Sequence, residues 1–176
     1  MTRSQTAAYS FLGSQTAAHS RSRRDTAMAD IRHRVEIAAP PEQVYRELTT
    51  KDGFSRWWTR DVVCEEGAGG KLEFYFGASE PAATFEVTEQ LPYRHVVLRC
   101  VQGPEEWVGT DLNFRLSPGV DGATVVLFSH EGWREPTEGM YHCSTKWGYY
   151  LLGLKGGLEG RQYTPYPDDM KISTWG

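Results

Sequence analysis

The longest regular pattern of apolar positions lies near the end of the chain, where Met140, Cys143, Trp147, Tyr150, Leu151, Leu154 and Leu158 recur at steps of three and four. At roughly 100° per residue this spacing gathers them on one helical face, predicting a helix over 138–158. Thr145, Lys146, Lys155 and Glu159 fall on the other face. Pro136 and Thr137 introduce the helix, with Thr137 as N-cap and Glu138 favourably placed in the first turn, while Lys155 and Arg161 suit its far end. A helix so apolar along one side needs a partner surface of similar length.

The preceding chain supplies strands. Ile31, His33, Val35 and Ile37 alternate with Arg32, Arg34 and Glu36, the two-residue period of a half-buried strand. Pro40-Pro41-Glu42 stops it and opens a short helix with Val44, Tyr45 and Leu48 inward. After Thr49 and Thr50 a second short helix carries Phe54, Trp57 and Trp58, aromatics that mark the edge of a core or the mouth of a pocket. Strands follow at 62–65, 72–76, 83–90, 94–101, 112–116 and 123–131, separated by turn residues such as Gly67-Ala-Gly-Gly70 and Pro118 to Gly122. The strand at 94–101 reads as a more fully buried one. Short connections imply antiparallel neighbours, so the middle of the chain is a meander. In the last strand Val126, Phe128 and His130 share one face, read as inward, and Val125, Leu127 and Ser129 the other; the opposite phase would put His130 in solvent.

Composition narrows the partners. At 176 residues the chain is sized for one domain with one sizeable core, and no run approaches the roughly 18 apolar residues of a membrane span. Residues 1–27 hold Arg3, Arg21, Arg23 and Arg24 against Asp25, so the remainder, −4 less +3, carries −7. An acidic body argues against nucleic acid and anionic membrane as partners. Cys64, Cys100 and Cys143 are odd in number and lack metal-ligand spacing, which reads as reduced, buried thiols in a cytoplasmic protein.

Residues 1–27 form an extension whose near-repeat Ser4-Gln-Thr-Ala-Ala-Tyr-Ser10 and Ser14-Gln-Thr-Ala-Ala-His-Ser20 has little to bury, so disorder is expected. It reads as the product of an upstream start codon with Met28 as the alternative beginning, as an Arg- and Ser-rich presequence, or as a tail for an acidic partner. Residues 28–162 form the domain, and 163–176 an irregular tail.

The order of strand, two short helices, six strands and one long helix gives an α+β class and a curved antiparallel sheet wrapped around the C-terminal helix, the helix-grip arrangement. Phe54-Ser-Arg-Trp-Trp58, His130-Glu-Gly-Trp133 and Trp147-Gly-Tyr-Tyr-Leu151 with Leu154-Lys155 and Leu158-Glu159, in that order, resemble the activator of heat-shock protein ATPase homologue-like (AHSA-type) branch of the START/SRPBCC superfamily. The resemblance spans about residues 30–160. It implies a cavity between sheet and helix that holds a small hydrophobic molecule, lined by Trp58, Phe74, Phe85, His130, Trp133, Trp147, Tyr150 and Leu151. The chain departs from the family pattern in Gly148, Gly153, Gly156 and Gly157 of the last helix, each costing roughly 1 kcal/mol of helix propensity. Poor propensity leaves the order of that helix to its packing, and its outer half is a candidate lid.

No nucleophile elbow, phosphate loop, zinc spacing or dinucleotide fingerprint occurs, so no metal and no cofactor is expected. His142-Cys143 lacks a third ligand at helical spacing. His95 and Arg99 share one side of a strand, as an outer ion-pairing set or as an inward carboxylate site. His130 is the candidate acid or base, with Glu131 as its assistant, set against a plain hydrogen-bonded core histidine. Three functions follow: a binding module for a small hydrophobic or aromatic molecule, a polyketide cyclase-like enzyme using the same pocket, and a chaperone ATPase-activator-like, stress-related interaction protein. The chaperone partner ranks last, because nothing here corresponds to the separate N-terminal domain of the eukaryotic activators.

Overall fold

The computed structural model describes residues 29–174, so the expectations for residues 1–27 and Met28 lie outside the described residues. Seven strands form one sheet: β1 (Ala29–Ile37), β2 (Val62–Cys64), β3 (Lys71–Phe74), β4 (Ala83–Leu91), β5 (His95–Gln102), β6 (Asp111–Pro118) and β7 (Thr124–Trp133). The spatial order is β1-β7-β6-β5-β4-β3-β2, every pair antiparallel. The chain enters at one edge and crosses to the other through α1 (Pro41–Glu47) and α2 (Lys51–Trp57). It then returns strand by strand until β7 meets β1, and α3 (Glu138–Leu158) packs back against the sheet.

Local chemistry fixes the element ends. Thr50 caps α2 by accepting from the Gly53 amide, and Thr137 caps α3 by accepting from the Met140 amide at 3.1 Å. α1 and α2 meet so closely that a Cβ on Gly53 would stand 2.5 Å from the Arg46 carbonyl oxygen. That approach turns Phe54, Trp57 and Trp58 into the core, where each is at most 1% exposed.

The alternation read from the sequence holds in β7 from Val126 onward, where Val126, Phe128 and His130 are buried and Leu127 is exposed, but Val125, read as outward, is buried too. It also holds in β5, and there it corrects the expectation of a fully buried strand. Val96, Leu98 and Cys100 point inward, while Arg99 and Val101 face solvent. His95 and Arg99 are on the outer face, His95 between Glu89 and Asn113 and Arg99 in a two-point pair with Asp111. They form no inward carboxylate site.

The C-terminal segment, read from sequence as a tail apart from the domain, lacks regular structure but lies on the body. The Tyr166 amide donates to the Trp58 carbonyl, and the Tyr166 carbonyl accepts from the Arg60 amide. Tyr163 lies flat over α3 at Gly153, where a Cβ would stand 2.0 Å from the ring. One of the helix glycines is therefore a notch for an aromatic ring, and packing offsets the lost propensity.

Candidate functional site

The site begins with two elements that converge. α2 delivers Trp58 from below, and the middle of α3 delivers Trp147, with ring centroids 4.8 Å apart. A third tryptophan comes from the β5–β6 loop. Trp107 turns inward over His130, at 5.1 Å and nearly perpendicular, and lies roughly parallel to Trp147 at 6.4 Å. An indole is too large and apolar to leave in water beside Glu105 and Glu106, and α3 offers it an aromatic surface.

These rings form one side of a partly open cavity of about 290 Å³. Phe76, Tyr150 and Tyr166 complete its aromatic wall, and His142, Cys143 and Lys146 supply its polar side. Tyr166 is packed on Phe76, 5.1 Å between centroids, so the C-terminal segment furnishes part of the wall.

Of the lining inferred by resemblance, Trp58, Trp147 and Tyr150 face this cavity. Phe74, Phe85, His130, Trp133 and Leu151 are packed in the layer behind it, each at most 1% exposed. Phe74 lies 4.0 Å from Trp58, and Trp133 lies 4.8 Å from His130. Sequence reasoning passed over Trp107, Phe76, Lys146 and Tyr166. A lone tryptophan in an acidic loop and a tyrosine between two prolines were the available signals.

His130 sits at the hub of a directional hydrogen-bond chain. The Trp147 indole N–H donates to His130 Nδ1 at 3.2 Å, which leaves the ring proton on Nε2. Nε2 then donates to Thr110 Oγ1 at 2.7 Å, and the Thr110 hydroxyl donates to the Trp107 carbonyl at 2.6 Å. Burial pushes the His130 imidazole down to about 3, so it stays neutral. Both nitrogens are committed, and the chain ties Trp147 to the Trp107 loop.

Glu131 points to the other side of the sheet, where it accepts from the Ser129 hydroxyl. Adjacent strand residues face opposite ways, so His130 and Glu131 cannot act together on one substrate. This corrects the acid–base pairing expected from the sequence.

The remaining chemistry is quiet. Burial pushes the thiols of Cys64, Cys100 and Cys143 up to about 11, which keeps them protonated and weakly nucleophilic. Burial, with the proximity of Asp169, also raises the Tyr150 phenol. Burial and the Lys146 charge lower His142, whose Nδ1 is 3.1 Å from Ser173 Oγ. Among the described residues no group of three His, Cys, Asp or Glu side chains could hold a metal ion, and no helix is long and apolar enough to cross a membrane.

The family model described as "Activator of Hsp90 ATPase homolog 1-like protein" matches residues 38–159. The chain belongs to this family. Its fold is that of the AHSA-type START/SRPBCC domains. Among solved structures, the Aha1 dimer from Colwellia psychrerythraea is 40% identical with a TM-score of 0.67, covering 75% of this chain and 97% of that one. A conserved protein of unknown function from Enterococcus faecalis is 20% identical with a TM-score of 0.65, covering 82% and 80% of the two chains. An HSP90 activator from Plasmodium falciparum is 15% identical with a TM-score of 0.60, covering 76% and 97%. No curated protein sequence matches the chain.

Proposed function

We propose that this AHSA-type domain binds a small hydrophobic, aromatic molecule in the cleft that α3 forms with the end of α2, the β5–β6 loop and the C-terminal segment, rather than between the sheet and α3. The observation that supports this reading is the space itself: about 290 Å³ opens beside Trp58, Trp107 and Trp147, with Phe76, Tyr150 and Tyr166 completing an aromatic wall. Ligand pockets are concave and mostly apolar with a few placed polar groups, and this volume is near the lower end of their usual range of about 300–1,000 Å³. A ligand of one or two fused rings suits it.

Tryptophan fluorescence titrated with naphthalene-based probes tests the reading, because a bound ring would quench the surrounding indoles. Trp107→Ala is the better variant, since Trp107 is half-buried on a loop whereas Trp147 is 2% exposed. Truncating Trp147 would add a core penalty of about 3–5 kcal/mol. Trp107→Ala is expected to weaken binding about tenfold, the loss of one aromatic wall. Unchanged affinity, or no quenching in the unaltered protein, refutes the proposal.

The identity with the Colwellia psychrerythraea Aha1 dimer favours a second reading, a chaperone-directed interaction protein that self-associates. It predicts stimulation of Hsp90 ATPase turnover and a dimer in sedimentation analysis. Unstimulated turnover together with a monomer would refute it. The cyclase-like reading gains no such support, since its acid–base pair is divided by the sheet.

A further inference from the structure

Lys146 and Tyr150 lie one turn apart on α3, and both line the aromatic cavity. Their donors converge on a single oxygen, Oδ2 of Asp169, with Lys146 Nζ at 2.6 Å and the Tyr150 hydroxyl at 3.0 Å. The side chains of Lys146 and Asp169 keep only 13% and 3% of their exposure. The cavity wall thus contains a two-donor site for a carboxylate oxygen, shielded from water, where charge-assisted hydrogen bonds are strongest. Its occupant belongs neither to the sheet nor to α3. Asp169 is carried by the irregular C-terminal segment, which is fastened nearby through the exposed Arg60–Asp168 pair and the Tyr166 backbone.

We infer that Lys146 and Tyr150 form the anion-binding end of the cavity, that its ligand is a flat apolar molecule bearing a carboxylate, and that Asp169 is an internal stand-in which that carboxylate displaces. The inference rests on the cavity reading above. A ligand carboxylate replaces Asp169 like for like, so Lys146 is never left buried without a counter-ion, the state that makes a broken buried pair so unfavourable. The ring system meanwhile lies on Trp58, Trp107 and Trp147. A neutral molecule has no such exchange open to it and leaves Asp169 in place. The tethered carboxylate competes at an effective concentration on the order of millimolar, so its removal should favour acidic ligands selectively.

Naphthoate and the neutral naphthylmethanol, titrated by tryptophan quenching, test this. Asp169→Ala is expected to tighten naphthoate about tenfold, the scale of a hydrogen bond to a charged group, and to leave naphthylmethanol unchanged. Adding Lys146→Met should abolish the gain. In the unaltered protein, saturating naphthoate but not naphthylmethanol should speed amide exchange in residues 165–172, a measurement that stands even if Asp169→Ala fails to fold. Equal gains for both probes, a gain that survives Lys146→Met, or unchanged exchange at 165–172 overturns the inference. Failure of both probes to bind the unaltered protein overturns the cavity reading itself, whereas naphthylmethanol binding without carboxylate selectivity overturns this inference alone.

Discussion

Acidification should destabilise this protein through His130. The imidazole is 0% exposed, and burial holds it at about 3 in the fold against an ordinary value of 6.5. Below 6.5 the unfolded chain takes up a proton that the folded chain refuses. Stability is therefore complete above that value, falls as the pH drops towards about 3, and stops falling once the folded ring also protonates. Between about pH 7 and pH 4.5 the two values give a loss of roughly 3 kcal/mol from this one side chain. Urea unfolding at the two pH values measures the total, which includes carboxylates such as Glu36 and Glu159. His130→Gln isolates the histidine, because an amide can still accept from Trp147 and donate to Thr110 without titrating. The variant should be less stable at pH 7 by about 1–3 kcal/mol, the cost of imperfect buried hydrogen bonds. Its further loss on acidification should be roughly 3 kcal/mol smaller than that of the parent. If parent and variant lose stability equally, His130 is not held neutral by burial and the directional network is wrong.

Two other outcomes follow from the packing. Gly153→Ala, which would stabilise an isolated helix by about 1 kcal/mol, should instead destabilise the protein by about 1–3 kcal/mol, because the new Cβ meets the Tyr163 ring. Thermal unfolding measures this, and a stabilised Gly153→Ala would show that the segment does not occupy the notch. The three thiols, each pushed up to about 11, should react with iodoacetamide at pH 8 far more slowly than in urea. Only Cys100 is fully buried, Cys64 and Cys143 being half-buried where buried thiols were expected, and native-state labelling of any of them at the unfolded rate would contradict the raised thiol values.

The fold was legible because its periods are clean. The alternation of β1 and β7 and the three-four spacing of α3 each point to one face, and faces are what a sheet and a helix must bury. The strand at 94–101 misled because Val97 and Val101 are apolar yet outward, and an apolar residue on a half-exposed sheet breaks no rule. The site was less legible for a different reason. Trp147 and Tyr150 sit on α3 and Trp58 directly follows α2, so their phase can be counted. Trp107, Tyr166 and Asp169 are on irregular segments, and no period says which way a loop residue turns. Lys146 was assigned by helical phase to the polar face, and its burial depends on a segment more than twenty residues later.

The closure of β1 against β7 bears on the order in which the molecule assembles. Leu91 pairs with His95 across a three-residue turn at Pro92, Tyr93 and Arg94, so the β4–β5 hairpin needs only its own neighbourhood. Ile37 pairs with Thr124, and all five of the other described strands lie between them. Loop-closure entropy makes that second pairing costlier by about 3 kcal/mol before any contact is gained. Among the described strands β1 leaves the ribosome before the rest and is among the last to find its partner, and the edge it later covers on β7 stays open until then.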